Sequence, residues 1–227
     1  MPIYQLSDEH IFPNPMMAGN DGLLAIGGDL TSDRLIEAYR CGIFPWYSEG
    51  QPILWWSPNP RMILFPNNFK RNKSLEKVVK NKKFQIHFDK DFKHVIENCA
   101  SMPRIGQEGE TWITSDMKNA YIELHRIGIA HSVEAYLDDS LVGGLYGLSI
   151  GGTFFGESMF HKVTDASKVA LWCLVDKVLE WGFDMIDVQQ ETKHLESMGA
   201  ESLSRKDFLN LLANSVKKET IKGSWSA

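Results

Sequence analysis

The sequence lacks the features that mark membrane and secreted proteins. Its apolar runs are all shorter than the roughly 18 residues needed to span a membrane. The opening stretch MPIYQLSDEH has no basic start followed by an apolar segment, so it does not resemble a signal peptide. Its three cysteines, Cys41, Cys99 and Cys173, are odd in number and widely spaced, which predicts reduced thiols. We therefore expect a cytoplasmic protein.

The sequence also lacks recognisable cofactor sites. It contains neither a phosphate-binding P-loop nor a dinucleotide-binding glycine fingerprint. Its seven histidines do not have the spacing of metal ligands. We therefore expect an activity that uses no metal and no cofactor.

Positive charge is scarce overall but concentrated in one place. The net charge of −5 argues mildly against a nucleic-acid partner. However, residues 70–83 carry seven basic side chains against one acid, Glu76. A helix there, capped by Ser74, would place Lys73, Lys77 and Lys80 on one face, where they could contact phosphates. An ordinary solvated helix surface is the alternative interpretation.

What the sequence does contain is a glycine-rich stretch from Leu141 to Gln190. Two apolar runs are joined by Gly151-Gly152, a strong hairpin signal. A predicted helix, Ala166 to Trp181, follows, and then a short strand from Phe183 to Gln190. Glycines inside the strands indicate a bulge or the close approach of a ligand. This stretch is the best candidate for a site.

Three polar side chains on these strands are candidates for chemistry. Asp187 and Gln189 are two residues apart, which on a regular strand places both on one face. We expect the Gln189 amide to donate to Asp187, which would fix the direction in which the Gln189 carbonyl points. The alternative is that Asp187 pairs with a lysine or arginine. Glu157, on an apolar strand, must meet a donor or a cation, either Lys168 or the amino group of a substrate.

The remaining pattern predicts a mixed α+β (α/β) protein with two domains. Residues 1–60 form a small N-terminal domain with an aromatic loop, and residues 61–227 form a larger one. The larger domain contains a three-stranded meander from His131 to Phe160 and a last helix capped by Ser204. We expect residues 1–20 to be an extended lead-in, 103–111 a polar loop and the tail after residue 216 loose.

The aromatic loop Phe44-Pro45-Trp46-Tyr47 offers a second type of site. Trp46 lies beside a proline in a loop, where an exposed ring can stack on a nucleobase. Trp55 and Trp56 are interpreted as core residues.

Long strings within these regions resemble a known family. GESMF at 156–160, DASKVAL at 165–171, IDVQ at 186–189 and the block from Gly42 to Arg61 are similar to the leucyl/phenylalanyl-tRNA–protein transferases. The similarity extends from about Gly22 to about Leu209. It implies a GNAT-like acyltransferase fold for the larger domain. It also implies transfer of leucine or phenylalanine, with methionine as a third candidate donor, from aminoacyl-tRNA to proteins that begin with arginine or lysine, marking them for degradation by the N-end rule. The protein would act as a monomer, without a membrane.

The same resemblance implies roles for individual residues. Trp46 and Trp112 would hold the terminal adenosine of the tRNA. Leu145, Phe154 and Ile186 would line the pocket for the donor side chain, although from the residues alone each is ordinary core. Glu157 would lie in the acceptor site. Asp187 and Gln189 would position or activate the attacking amine, with the Gln189 carbonyl accepting from it.

Two other functions remain open from the residues. An acyl-CoA-dependent N-acyltransferase would need a pyrophosphate loop before a helix. The nearest string, His125 to Ala130, begins with histidine and leads into a predicted strand. A non-catalytic RNA-binding module would use the aromatic loop and the lysine helix. Asp187 and Gln189 would then have no functional role.

Overall fold

The computed structural model describes residues 3–102 and 111–226, and these form two β-sheets surrounded by helices. The strands are β1 (Tyr4–Leu6), β2 (Leu23–Gly27), β3 (Phe44–Pro45), β4 (Leu54–Trp56), β5 (Arg61–Leu64), β6 (Gln85–Phe88), β7 (Ala130–Leu137), β8 (Ser140–Ile150), β9 (Thr153–His161), β10 (Met185–Gln189) and β11 (Glu201–Leu203). The helices are α1 (Ser32–Arg40), α2 (Lys73–Lys80), α3 (Phe92–Ser101), α4 (Ser115–Arg126), α5 (Ala166–Glu180), α6 (Lys193–Ser197) and α7 (Arg205–Ser215). The predicted mixed α+β class is confirmed.

The smaller sheet has the strand order β1-β2-β4-β3 and lies in the first 60 residues. Trp55 anchors it: the ring is fully buried, lies edge-on to Phe12 at 4.9 Å, and donates from its indole N–H to the Gly27 carbonyl at 2.8 Å. Its assignment to the core is therefore confirmed. The prediction of an extended lead-in missed a strand, because β1 pairs with β2 in parallel.

The larger sheet has the order β11-β5-β10-β9-β8-β7-β6. Strands β7, β8 and β9 form the predicted antiparallel meander, and Gly151 turns the β8–β9 hairpin with a φ of 59°. The next strand, β10, lies between β9 and β5, parallel to β9 and antiparallel to β5. This insertion brings residues before position 65 beside the glycine-rich stretch.

The two sheets share one apolar core. Tyr39 of α1 packs edge-on against Phe155 of β9, with ring centroids 5.1 Å apart, and both belong to a cluster that also includes Phe208 of α7. A second apolar cluster joins α5 to the larger sheet. Helix α1 is thus held against the strands that form the candidate site.

One expected helix cap was wrong, and one was correct. The side chain of Asn72, not Ser74, caps α2 by accepting from the Leu75 amide at 2.8 Å. The Thr114 side chain caps α4 by accepting from the Met117 amide at 3.2 Å. Ser204 caps α7 as predicted. Asn72 can cap α2 in place of Ser74 because asparagine is as strong an N-cap as serine.

The prediction of a loose tail was wrong. Trp225 is only 2% exposed, and its ring stacks on His131 at a centroid distance of 3.9 Å. Its amide donates to Asp89 at 2.7 Å, and its carbonyl accepts from Lys177 at 3.0 Å. One tryptophan therefore fastens an otherwise polar segment. Most of the predicted polar loop, residues 103–110, lies outside the described part of the chain.

Among residues 3–102 and 111–226, none of the helices combines the length and apolar character required to cross a membrane.

Candidate active site

A cavity of about 430 Å³ opens where β9 and β10 separate. The two strands pair in parallel only from Met185 opposite Thr153 to Asp187 opposite Phe155. Both strands then carry an extra residue: Glu157 in β9 has no counterpart on β8, and Val188 in β10 has none on β5. Such bulges bend a strand and redirect its side chains, and they are frequent beside active sites. The two strands therefore diverge beyond Phe155 and Asp187.

Much of the cavity lining is apolar. All three residues predicted for a donor side-chain pocket, Leu145, Phe154 and Ile186, line it. Each of them is at most 5% exposed. The apolar lining also includes Met159, Leu171, Leu174 and Leu195. These side chains can surround a large apolar side chain of a substrate.

Two tryptophans lie at the cavity from separate parts of the chain. Trp46, from the loop after β3, and Trp112, which precedes α4, both line it. Trp46 is partly exposed, and its ring lies 5.9 Å from that of Trp56, tilted by 60°. The Trp56 indole N–H donates to the Trp46 carbonyl at 2.7 Å, which holds this loop against β4. The structure therefore brings the two predicted nucleobase-binding rings to one cavity.

Glu157 is held by donors from two other elements. The Tyr121 hydroxyl donates to Oε2 at 3.0 Å, and the Gln189 side-chain amide donates to Oε1 at 2.8 Å. The Tyr39 and Tyr121 hydroxyls are hydrogen-bonded to each other, which extends the network to α1. Lys168, one of the two alternatives for a cationic partner, does not fill that role, because it pairs with Asp165 at 3.4 Å.

The environment of Glu157 favours its neutral form. Burial raises the pKa of its carboxyl from 4.5 to about 7, against the opposing effect of the nearby donors Tyr39, Tyr121 and Gln189. The negative charge of Asp187 raises it further. A carboxyl with a pKa of about 7 can accept or release a proton near neutral pH, as general acid–base catalysis requires.

Asp187 has a different position from the one expected. Its side chain is fully buried, and Arg61 donates to both of its oxygens, from Nε at 2.9 Å and from Nη2 at 2.6 Å. Asp187 is not among the residues that line the cavity, whereas Gln189 is. The prediction of a shared face was wrong because the bulge at Val188 interrupts the alternation of the strand.

The bond between these two residues also differs from the prediction. Asp187 accepts at 3.0 Å from the backbone amide of Gln189, while the side-chain amide of Gln189 turns to Glu157. The alternative interpretation, in which Asp187 pairs with a lysine or arginine, is confirmed by Arg61. Asp187 thus holds the backbone of the residue that faces the cavity.

Sequence reasoning missed three residues of this network: Tyr39, Tyr121 and Arg61. The helical periodicity of α1 and α4 is enough to predict that both tyrosines face inward, and both are fully buried. The pattern carried no sign that their hydroxyls meet across 82 positions of the chain. Arg61 had no signal beyond its place at the end of the Gly42–Arg61 block.

The basic helix lies apart from the cavity. Lys73, Lys77 and Lys80 are all exposed on α2, and none of them lines the cavity. Lys80 forms an ion pair with Glu76 at 2.6 Å. Exposed pairs of this kind contribute little to stability and are easily exchanged for another anion.

Within the described parts of the chain, no group of three or more histidine, cysteine, aspartate or glutamate side chains is arranged to hold a metal ion.

Comparison with known proteins links this chain to one family. Residues 63–213 match the family model described as leucyl/phenylalanyl-tRNA protein transferase, and residues 28–59 match the model of that family's N-terminal domain. Curated relatives with that name include proteins from Desulfatibacillum aliphaticivorans (51% identical, covering 100% of this chain and 97% of the relative), Thermodesulfovibrio yellowstonii (53%; 99% and 91%) and Legionella pneumophila strain Corby (52%; 96% and 96%).

Solved structures show a weaker likeness. An aminoglycoside acetyltransferase from a soil metagenome has a TM-score of 0.39 and 12% identity over 65% of this chain and 98% of its own. L-PGS from Bacillus licheniformis has a TM-score of 0.41 and 8% identity over 87% and 74%. The family models and the full-length relatives, and not these likenesses, assign the chain to a family.

Proposed function

The chain belongs to the leucyl/phenylalanyl-tRNA–protein transferase family and is an aminoacyltransferase, and from this premise we propose how its cavity serves the reaction. The donor is leucyl- or phenylalanyl-tRNA, and the acceptor is the N-terminal amine of a protein that begins with arginine or lysine. Such transfer would mark the acceptor for degradation by the N-end rule. The protein acts as a monomer in the cytoplasm.

One observation supports this function best: a single cavity joins an apolar pocket, two tryptophans and a carboxyl network. The pocket formed by Leu145, Phe154 and Ile186 suits a leucine or phenylalanine side chain. Trp46 and Trp112 supply aromatic faces on which the terminal adenosine can stack. In its ionised form, Glu157 can attract the positively charged end of an acceptor that begins with arginine or lysine. Each part of the cavity therefore matches one part of the two substrates.

The reaction needs orientation more than activation. The acceptor nitrogen attacks the ester carbonyl, a C–N bond forms and the C–O bond to the terminal ribose breaks. The amine loses a proton and the ribose oxygen gains one, so no net proton is consumed. An α-amino group has a pKa of about 7.7–8.0, so a weak base is enough to free it. Holding the two reactants in place can supply most of the rate.

Glu157 and Gln189 are proposed as the residues that contact the amine. The Gln189 amide nitrogen donates to Glu157, which leaves its carbonyl oxygen free to accept from the amine. Glu157, with a pKa of about 7, can take the proton near neutral pH. Asp187 is proposed to act through the Gln189 backbone, as a positioning residue rather than as a group in contact with substrate.

The tRNA body is proposed to contact the exposed face of α2. Lys73, Lys77 and Lys80 present three positive charges there, and lysine binds phosphate as a point charge without reading bases. We also propose that residues 1–60 form a small domain that supplies the aromatic loop and that residues 61–227 form a GNAT-like catalytic domain. The separate matches to residues 28–59 and 63–213 support this division.

The test is a transfer assay without coenzyme A. The protein is incubated with tRNA charged with labelled phenylalanine and a peptide that begins with arginine. Label in the peptide supports the proposal, and a peptide with an acetylated N-terminus is the matched control. Transfer that requires an acyl-CoA would instead identify an N-acyltransferase. Binding of tRNA without transfer would indicate an RNA-binding module.

A further inference from the structure

Arg61, the first residue of β5, is an unusual residue to bury. Its side chain is fully enclosed, and its guanidinium lies between the rings of Phe44 at 4.8 Å and Phe208 at 4.6 Å. Replacing a buried ion pair with apolar residues of similar size is often neutral or stabilising. Stability alone therefore does not account for the pair between Arg61 and Asp187.

On one side, Arg61 controls the turn that carries Gln189. Its two-point contact fixes the rotation of the Asp187 carboxylate, and Oδ1 of that carboxylate also accepts from the Gln189 backbone amide at 3.0 Å. Gln189 has a φ of 61°, a left-handed conformation that residues other than glycine rarely adopt. Conformations of this kind persist only where surrounding contacts enforce them, and they cluster at functional sites.

On the other side, Arg61 contacts the start of the aromatic loop. Its Nη1 donates to the Gly42 carbonyl at 3.3 Å, and its guanidinium lies over the Phe44 ring. Phe44 and Trp46 both line the cavity. The Arg61 guanidinium thus contacts both Asp187, which holds the Gln189 turn, and the start of the aromatic loop. Lysine cannot reproduce this forked geometry.

We propose that Arg61 is a positioning residue that sets the spacing between the Trp46 loop, which holds the donor, and the Gln189 turn, which holds the acceptor. This inference rests on the proposed function. It predicts two separable effects of loosening Arg61. Turnover falls through Gln189, and donor affinity falls through the loop.

The test is a cycle of variants assayed with phenylalanyl-adenosine and an arginine peptide. Arg61→Lys should lower kcat about ten- to a hundredfold, the usual cost of a small misplacement of reacting groups. In a Gln189→Leu background the same change should lower kcat less than about threefold, because residues that act through one another are not additive. It should raise the donor KM in both backgrounds. Equal fold-losses of kcat in the two backgrounds would overturn the proposal.

Arg34→Lys is the matched control. Arg34 is also fully buried, bonded to Asp29 and to the carbonyls of Ser7 and Glu9, and it does not line the cavity. Its replacement should lower stability and leave kcat and the donor KM of the folded protein unchanged. A loss of kcat equal to that of Arg61→Lys would mean that any disturbed buried arginine has this effect, and would also overturn the proposal.

Two further measurements guard against a variant that does not fold and against failure of the proposed function. The double change Arg61→Met with Asp187→Leu replaces the pair by apolar side chains and should fold but turn over at least about tenfold more slowly. Parental turnover in that folded variant would refute the role. If the parent itself transfers nothing, the proposed function fails. Hydrogen exchange at the Gln189 backbone amide then still tests whether Arg61 positions Gln189. Exchange should be faster in Arg61→Lys, and unchanged protection would refute the positioning of Gln189.

Discussion

The ionisation of Glu157 makes the stability of the protein depend on pH in a predictable direction. Burial holds the pKa of its carboxyl at about 7 in the folded chain, against 4.5 for an ordinary glutamate. Below about pH 4.5 the carboxyl is neutral in both states, so its full contribution to stability is present. As the pH rises through about 7, the unfolded chain ionises first, and that contribution is lost.

The magnitude follows from the size of the shift. The groups that face the carboxyl are Tyr39 from α1, Tyr121 from α4, and Asp187 and Gln189 from β10. A gap of about two and a half pKa units corresponds to about 3 kcal/mol. Glu157 is in contact with a cavity and is partly exposed, so hydration reduces this figure to about 2 kcal/mol between pH 5 and 8.

Glu157→Gln isolates this effect because glutamine has a similar shape and does not ionise. The free energy of unfolding of Glu157→Gln, relative to that of the parent at the same pH, should rise by about 2 kcal/mol from about pH 5 to about pH 8. Urea unfolding of both proteins at several pH values measures it. Any constant offset from altered hydrogen bonds cancels in the comparison.

An exposed glutamate provides the control. Glu123 lies on the surface of α4, paired with Arg126, and Glu123→Gln should show no such rise with pH. In transfer assays, Glu157→Gln should also remove the rise in rate near pH 7 and leave only the rise from the acceptor amine near about pH 8. A difference between parent and Glu157→Gln that does not change with pH would refute the assignment of a raised pKa to this carboxyl.

Three further predictions test other parts of the molecule. Gln189→Ala should lower kcat and kcat/KM together with little change in donor affinity, since it removes a contact made to the attacking amine; near-normal turnover in a folded variant would contradict that role. Trp46→Ala should weaken binding of the donor's terminal adenosine by about 1–3 kcal/mol, with partial recovery in Trp46→Phe, and unfolding of the first variant with full activity of the second would make Trp46 a core residue. Replacing Lys73, Lys77 and Lys80 of α2 with alanine should flatten the slope of log K against log salt by about two units for charged tRNA. The reaction of phenylalanyl-adenosine should be unaffected. An unchanged slope with charged tRNA would mean that the tRNA body binds elsewhere.

Local patterns predicted the elements of the larger sheet well. The meander from β7 to β9, the Gly151-Gly152 turn, helix α5 and the Ser204 cap all follow from residues near one another in the chain. Periodicity and capping are local effects, so a single sequence contains them. The inward faces of α1 and α4, with Tyr39 and Tyr121, were also predictable for this reason.

The candidate site was only partly predictable. The apolar residues Leu145, Phe154 and Ile186 and the two tryptophans do meet at one cavity. The relation between Asp187 and Gln189 was predicted incorrectly, because the rule of alternating faces holds only for a regular strand and Val188 forms a bulge. A bulge depends on how a strand pairs with its neighbours, and the pairing of β10 with β5 joins residues more than 120 positions apart.

The amino-acid sequence therefore determined which segments become helices and strands, which side chains turn inward, and the family to which the chain belongs, because each of these depends on short or contiguous strings. Tertiary structure alone decided which polar groups meet. Arg61 reached Asp187, Tyr39 reached Tyr121, and Trp225 reached His131, each across a long stretch of chain. The insertion of β10 between β5 and β9 creates the first contact, and the packing of α1 and the tail on the larger sheet creates the others. Contacts of this kind depend on where whole elements pack, and no local pattern encodes that placement.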